Sequence, residues 1–86
     1  MLPLNYAILK LFLSEEEADV QIVMEKLADD YQKSRQFKKS TVTELVMTAE
    51  ANGLLEETRF DLGENEDLRV YYRATESGRQ MIERYI

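Results

Sequence analysis

The apolar pattern changes period at Asn52-Gly53, and that change limits the folds open to this chain. Before it, apolar residues recur every three or four positions, the spacing of amphipathic helices. After it they alternate, the spacing of strands half-buried on one face. The chain is therefore α+β and mainly α, with three helices ahead of a hairpin.

Leu4, Ala7, Ile8, Leu11 and Phe12 predict a first helix over roughly residues 3–13, with Pro3 in its opening turn. Ser14 and Glu17 have capping-box spacing, and Asp19 is an equally good cap, so the second helix has two candidate starts. Its stripe is Val20, Val23, Met24, Leu27, Ala28 and Tyr31. Glu15, Glu16 and Glu17 read as a solvated helix start. Residues 32–39 form a polar connector in which Phe37 is the one apolar residue, placed to plug the core. Thr41 and Glu44 form a second capping box ahead of Val42, Leu45, Val46 and Ala49, which predicts a third helix over 40–52. Gly53 supplies the left-handed residue that closes it, and Leu54 the apolar contact that accompanies such a closure.

Residues 55–62 and 68–74 predict two strands joined by a turn at 63–67. An antiparallel ladder keeps a constant index sum. A sum of 130 sets Leu62 against Leu68, Phe60 against Val70 and Thr58 against Tyr72 on one largely apolar face. The other face then pairs Asp61 with Arg69, Arg59 with Tyr71 and Glu57 with Arg73, giving Arg69 and Arg73 each a partner of opposite charge. Thr75 to Gly78 restarts a short helix carrying Met81, Ile82, Tyr85 and Ile86 on one side. Tyr6, Tyr31, Tyr72 and Tyr85 read as core or core-edge residues with hydroxyls reaching water.

At 86 residues the expectation is a single domain, 1–86. No residue is Cys or His, which removes disulfides, thiol chemistry, zinc clusters and histidine-based catalysis. Without a glycine-rich phosphate loop or an isolated carboxylic acid in an apolar setting, the expectation is no enzyme, no cofactor and no metal. Asp61 to Asp67 fails as a calcium loop, because Glu66 stands where a glycine is needed and Tyr72 where the bidentate Glu belongs. The N-terminus has neither a basic leader region nor the length to span a bilayer, so a cytoplasmic protein is expected.

The chain is acidic, with eleven basic and seventeen acidic residues for a net charge of −6. Residues 37–55 are balanced, with two of each sign, between acidic flanks. Any face that binds a polyanion must therefore be local, and docking on anionic lipid is disfavoured.

Three helices, a hairpin and a short closing helix are the order of a winged helix–turn–helix domain. The resemblance is carried by Thr41-Val42-Thr43-Glu44-Leu45-Val46, by Ala49-Glu50-Ala51-Asn52-Gly53-Leu54-Leu55-Glu56, and by Tyr72-Arg73-Ala74-Thr75-Glu76-Ser77-Gly78-Arg79. It covers nearly the whole chain and is similar to small bacterial regulators. It implies a three-helix core, a wing, double-stranded DNA as partner and often a dimer. The helix over 40–52 would be the recognition helix in the major groove and the hairpin over 55–74 the wing.

On that likeness the candidate DNA contacts are Lys38, Lys39, Ser40, Thr43, Thr48, Arg69 and Arg73. Each has a plainer reading. The lysines can be solvated connector residues, the threonines mere helix surface, and the arginines ion-paired within the hairpin. Met47 falls on the outward face, either as a patch for a partner or covered by the connector around Phe37. The turn Glu64-Asn65-Glu66-Asp67 is acidic, a departure from a phosphate-contacting wing. A homodimer would use the first and last helices, through Leu2, Leu4, Tyr6, Met81, Ile82, Tyr85 and Ile86. The alternative function is a protein–protein interaction module on the same fold, without DNA binding. It is favoured by the charge of −6, the acidic turn and Met47.

Overall fold

Helix α1 (Leu4–Ser14) starts as its sequence implies, with the Pro3 carbonyl accepting from the N–H groups of Tyr6 and Ala7 at 3.0 Å. The structure is a computed structural model that describes residues 2–63 and 68–86. The predicted turn at 63–67, with its acidic residues Glu64 to Asp67, lies outside the described residues apart from Gly63. After α1 come α2 (Val20–Tyr31), α3 (Lys39–Ala51), the strands β1 (Leu55–Leu62) and β2 (Leu68–Ala74), and α4 (Glu76–Tyr85).

The second helix takes one of its two candidate starts, and the start of the third differs from expectation. Ser14 ends α1, its hydroxyl donating back to Leu11 O at 3.0 Å, and Glu17 is drawn away to the hairpin. No Ser14–Glu17 capping box therefore forms. Asp19 caps α2 instead, its carboxylate accepting from Ile22 N at 2.8 Å. At α3 the N-cap is Lys38, which makes no side-chain cap, so Thr41 lies inside the helix and the Thr41–Glu44 box does not form. The other end of α3 closes as expected. Gly53 takes φ +78°, Leu54 N donates to Ala49 O at 2.9 Å and Gly53 N to Glu50 O at 3.0 Å, the paired bonds of a Schellman motif.

The core gathers around Phe12 and Ile8 of α1, with Val23 and Leu27 of α2, Val42 and Val46 of α3, and Leu55 and Ile82 behind them, all buried. Tyr31 closes one edge, its ring against Phe37 at 6.4 Å between centroids and its hydroxyl donating to Leu2 O. Tyr72 is buried as expected, but Tyr6 and Tyr85 are exposed, Tyr85 by 71%. Leu4 and Ile82, expected at a subunit interface, are buried within the chain itself and have no surface to offer a second copy.

The hairpin keeps the sum of 130 only in its outer half, where Leu62 faces Leu68, Asp61 faces Arg69, Phe60 faces Val70 and Arg59 faces Tyr71. A bulge at Thr58 then shifts the ladder by one, so that Glu57 faces Tyr72 and Glu56 faces Arg73. The expected pairs Thr58–Tyr72 and Glu57–Arg73 do not exist. The bulge frees Thr58 Oγ1 to donate to Glu17 Oε2 at 2.7 Å. On the far side of β2, Ala18 and Tyr72 exchange both main-chain bonds, at 3.0 and 2.9 Å, and anchor the hairpin to the α1–α2 junction. Thr75 caps α4, accepting from Gly78 N at 2.9 Å and donating to Gly53 O at 2.6 Å.

Candidate nucleic-acid interface

Helix α3 buries Val42, Val46 and Ala49 and turns Ser40, Glu44, Met47 and Thr48 outward, so one side of the rod is open over its length. The 3.6-residue period alone dictates this division. Met47 is 55% exposed, so the connector does not cover it, and Phe37 packs on Tyr31 instead. Thr43 is half-buried, and its hydroxyl donates to Lys39 O at 2.7 Å, one turn back within the helix.

A groove of about 560 Å³ runs between α3, the start of α2 and β2. Lys39, Thr43 and Met47, one turn apart along α3, form one wall, and Leu68, Arg69 and Val70 the other. Gln21 reaches it from α2. Of the expected contacts, Lys39, Thr43 and Arg69 come together here. Lys38, Ser40 and Thr48 are exposed on or beside α3 but do not line the groove, and Arg73 lies at the base of the hairpin.

The arginines are paired, though not with the partners the index sum gives them. Arg69 Nε lies 2.5 Å from Asp19 Oδ2, and Asp61 takes no part. Arg73 Nε lies 2.5 Å from Glu56 Oε1, the residue that the bulge brings opposite it. Arg59 Nε lies 2.8 Å from Glu17 Oε1. The Arg59 guanidinium also stacks 3.8 Å from the Tyr71 ring centre, with Arg69 at 5.6 Å. Glu17, Arg59, Tyr71, Arg69 and Asp19 thus form one continuous strip across the hairpin.

Titration reflects this arrangement. Burial by itself would raise the Asp19 pKa, but hydrogen bonds from Arg69 and from Ile22 N outweigh it and hold the carboxyl below its usual range. Glu17 is lowered too, first by the Thr58 hydroxyl and then by Arg59. Arg59 and Arg69 are raised by hydrogen bonds to those same carboxylates. Burial pushes the Tyr72 hydroxyl up. Lys38 and Lys39 have no ion pair among the described residues, so they are the cations at α3 with a charge free for an anionic ligand.

Sequence reasoning missed Glu17, Asp19 and Arg59 as parts of this surface. Asp19 shows in the sequence only as a cap, and the pairing of Glu17 with residues 41 and 42 positions away leaves no local signal. Among the described residues no cluster of carboxylates could hold a metal ion, and no helix is long and apolar enough to cross a membrane.

No protein-family model matches the sequence, and no curated protein is similar enough in sequence to match. Solved structures are similar in fold. Bacillus subtilis PadR, determined in complex with operator DNA, superposes with a TM-score of 0.77 at 20% identity, over 95% of this chain and 45% of PadR. A PadR-like transcriptional regulator from Bacillus cereus gives 0.71 at 21% identity, over 94% of this chain and 75% of that one. A transcriptional regulator from Clostridium thermocellum gives 0.70 at 21% identity, over 94% and 74%. This chain therefore spans less than half of the PadR chain and about three quarters of the other two. The architecture is a winged-helix α+β fold, four helices with a two-stranded antiparallel hairpin.

Proposed function

We propose that this chain is a DNA-binding transcriptional regulator that inserts α3 into the major groove of double-stranded DNA and sets the β1–β2 hairpin against the flanking backbone. The observation that carries the reading is the open outer side of α3, with Lys39, Thr43 and Met47 in a groove facing the hairpin. A rod of this diameter fits the major groove of B-form DNA. The operator complex of the similar PadR supports the same use of the fold. In this reading Lys38 and Lys39 meet phosphates, and Ser40, Thr43 and Thr48 approach base edges or sugars. Arg69 and Arg73 contribute only the donors that their carboxylate partners leave free. The protein is cytoplasmic and not an enzyme, and it acts without a cofactor.

Fluorescence anisotropy with a labelled random duplex at low salt tests this. The expected result is binding that weakens as salt rises and disappears in the Lys38→Glu, Lys39→Glu double variant. No binding at high micromolar protein would overturn the reading.

One observation favours a protein-interaction module instead. Met47 shares the groove with Leu68, and Phe60, Leu62 and Leu68 are each more than 60% exposed on one side of the hairpin. Apolar side chains on that scale add nothing to phosphate binding. A partner protein docked there would be indifferent to the lysine reversal and lost on Leu68→Ser.

A further inference from the structure

Strand β1 has one unpaired edge. β2 lies on one side of it, and among the described residues nothing pairs with the other. Such an edge is a template for another strand unless something blunts it. The bulge at Thr58 blunts the inner half, but Arg59 to Leu62 run on regular and exposed.

The direction of the free hydrogen-bonding groups follows from the ladder. Tyr72 exchanges both of its main-chain bonds with Ala18, away from β1. Alternation along β2 then turns the groups of Tyr71 and Arg69 toward β1, where they face Arg59 and Asp61. Phe60 and Leu62, the alternate residues of β1, therefore direct their N–H and C=O groups to the open edge.

We propose that the occupant of this edge is a second copy of the same chain, its β1 antiparallel to the first about a two-fold axis at Phe60, so that the two hairpins form one four-stranded sheet. Charge selects the register. With Phe60 opposite Phe60 of the second copy, Arg59 of each chain lies directly across from Asp61 of the other. A shift of one step either way, keeping the outward groups matched, sets Asp61 against Asp61 or Arg59 against Arg59. Only the centred register joins opposite charges. Asp61 has no ion pair among the described residues, and the half-exposed Arg59 guanidinium has donors to spare beyond its bond to Glu17. The same register brings the 69%-exposed Phe60 rings together and extends the apolar side through Leu62. An isologous contact of this kind closes on itself and stops at a dimer. Its small area makes the dimer weak and concentration-dependent.

The test is sedimentation velocity over a concentration series, without nucleic acid, so its outcome is separate from that of the DNA reading. The wild-type chain dimerises as concentration rises. Asp61→Arg, which sets arginine against arginine, raises the dissociation constant by about tenfold or more. Adding Arg59→Asp to that variant restores the opposite pairing and the dimer. A wild-type chain monomeric at every concentration, or an Asp61→Arg variant that dimerises as tightly as wild type, would overturn the proposal. Should the reversal variant unfold, Phe60→Cys decides. The chain has no other cysteine, and two-fold pairing holds this position within disulfide reach of its symmetry mate. Oxidation then yields a covalent dimer from Phe60→Cys and none from Glu57→Cys, and absence of the Phe60→Cys dimer overturns the proposal.

Discussion

Arg69 and Asp19 join the hairpin to the second helix, with Nε and Oδ2 at 2.5 Å and the Asp19 side chain almost fully buried. The same carboxylate caps α2 through Ile22 N. One side chain therefore serves a helix end and a tertiary ion pair together. Loss of the cap costs about 1 kcal/mol. A charge-assisted bond of this kind adds about 1.5–3 kcal/mol. Asp19→Ala is expected to lose both, about 2.5–4 kcal/mol. Asp19→Asn keeps an acceptor for Ile22 N and should be about 1 kcal/mol less damaging. Urea denaturation followed by circular dichroism ranks the two, and equal losses would mean that the cap contributes nothing.

The pair also makes stability depend on pH on the acid side. The folded Asp19 and Glu17 carboxyls both sit below their ordinary values. A lowered folded pKa contributes stability that is complete above the unfolded value and is lost as pH falls through the folded one. The loss should begin below about pH 5 and deepen below about pH 4, where unfolded carboxylates take up protons. The urea midpoint of the wild type falls between pH 7 and pH 3, and that of Asp19→Asn falls less, because one of the titrating groups is gone.

Gly78 offers a reversal of the usual glycine rule. Inside a helix, Gly→Ala ordinarily stabilises by about 0.5–1 kcal/mol. Here an added Cβ would overlap the Leu54 carbonyl oxygen and come within 2.8 Å of its carbon. That carbonyl is main chain and cannot swing aside, and it already accepts from Thr75 N at 3.0 Å. Gly78→Ala should push α4 off the α3–β1 junction and destabilise by about 2 kcal/mol or more, in the range of overpacked sites. A thermal midpoint at or above that of the wild type would show that α4 shifts without cost.

Much of this architecture is legible in the sequence because it is periodic. The helical stripes, the Gly53 closure and the alternation of the strands are local, and each has one physical solution. The differences arise where distant residues compete for a local role. Glu17 has the spacing of a cap partner, but Thr58 and Arg59 supply stronger bonds and take it. Thr58 has the place of a ladder residue, but its bond to Glu17 comes with a bulge that moves Arg73 from Glu57 to Glu56. The Ala18–Tyr72 bridge is too short to have a period at all. For the candidate interface, the sequence marks the open side of α3 and its two lysines. Which arginines are already neutralised follows from contacts of long separation and had to be seen.

That neutralisation bears directly on how the chain should meet DNA. Arg59, Arg69 and Arg73 each face a carboxylate at 2.8 Å or less, while Lys38 and Lys39 face none among the described residues. A cation already paired releases little counterion on meeting a phosphate, because its charge is compensated before binding. With the two lysines as the principal phosphate contacts, a plot of log affinity against log salt should have a slope of about −2 per chain. Lys39→Ala should flatten it by about 1. Arg73→Ala should leave it nearly unchanged, and Glu56→Gln, which releases Arg73, should steepen it. Anisotropy titrations at four or five salt concentrations measure all of these. A wild-type slope several times steeper would mean that the arginines leave their carboxylates for the phosphates, and that the strip from Glu17 to Asp19 opens when DNA is bound.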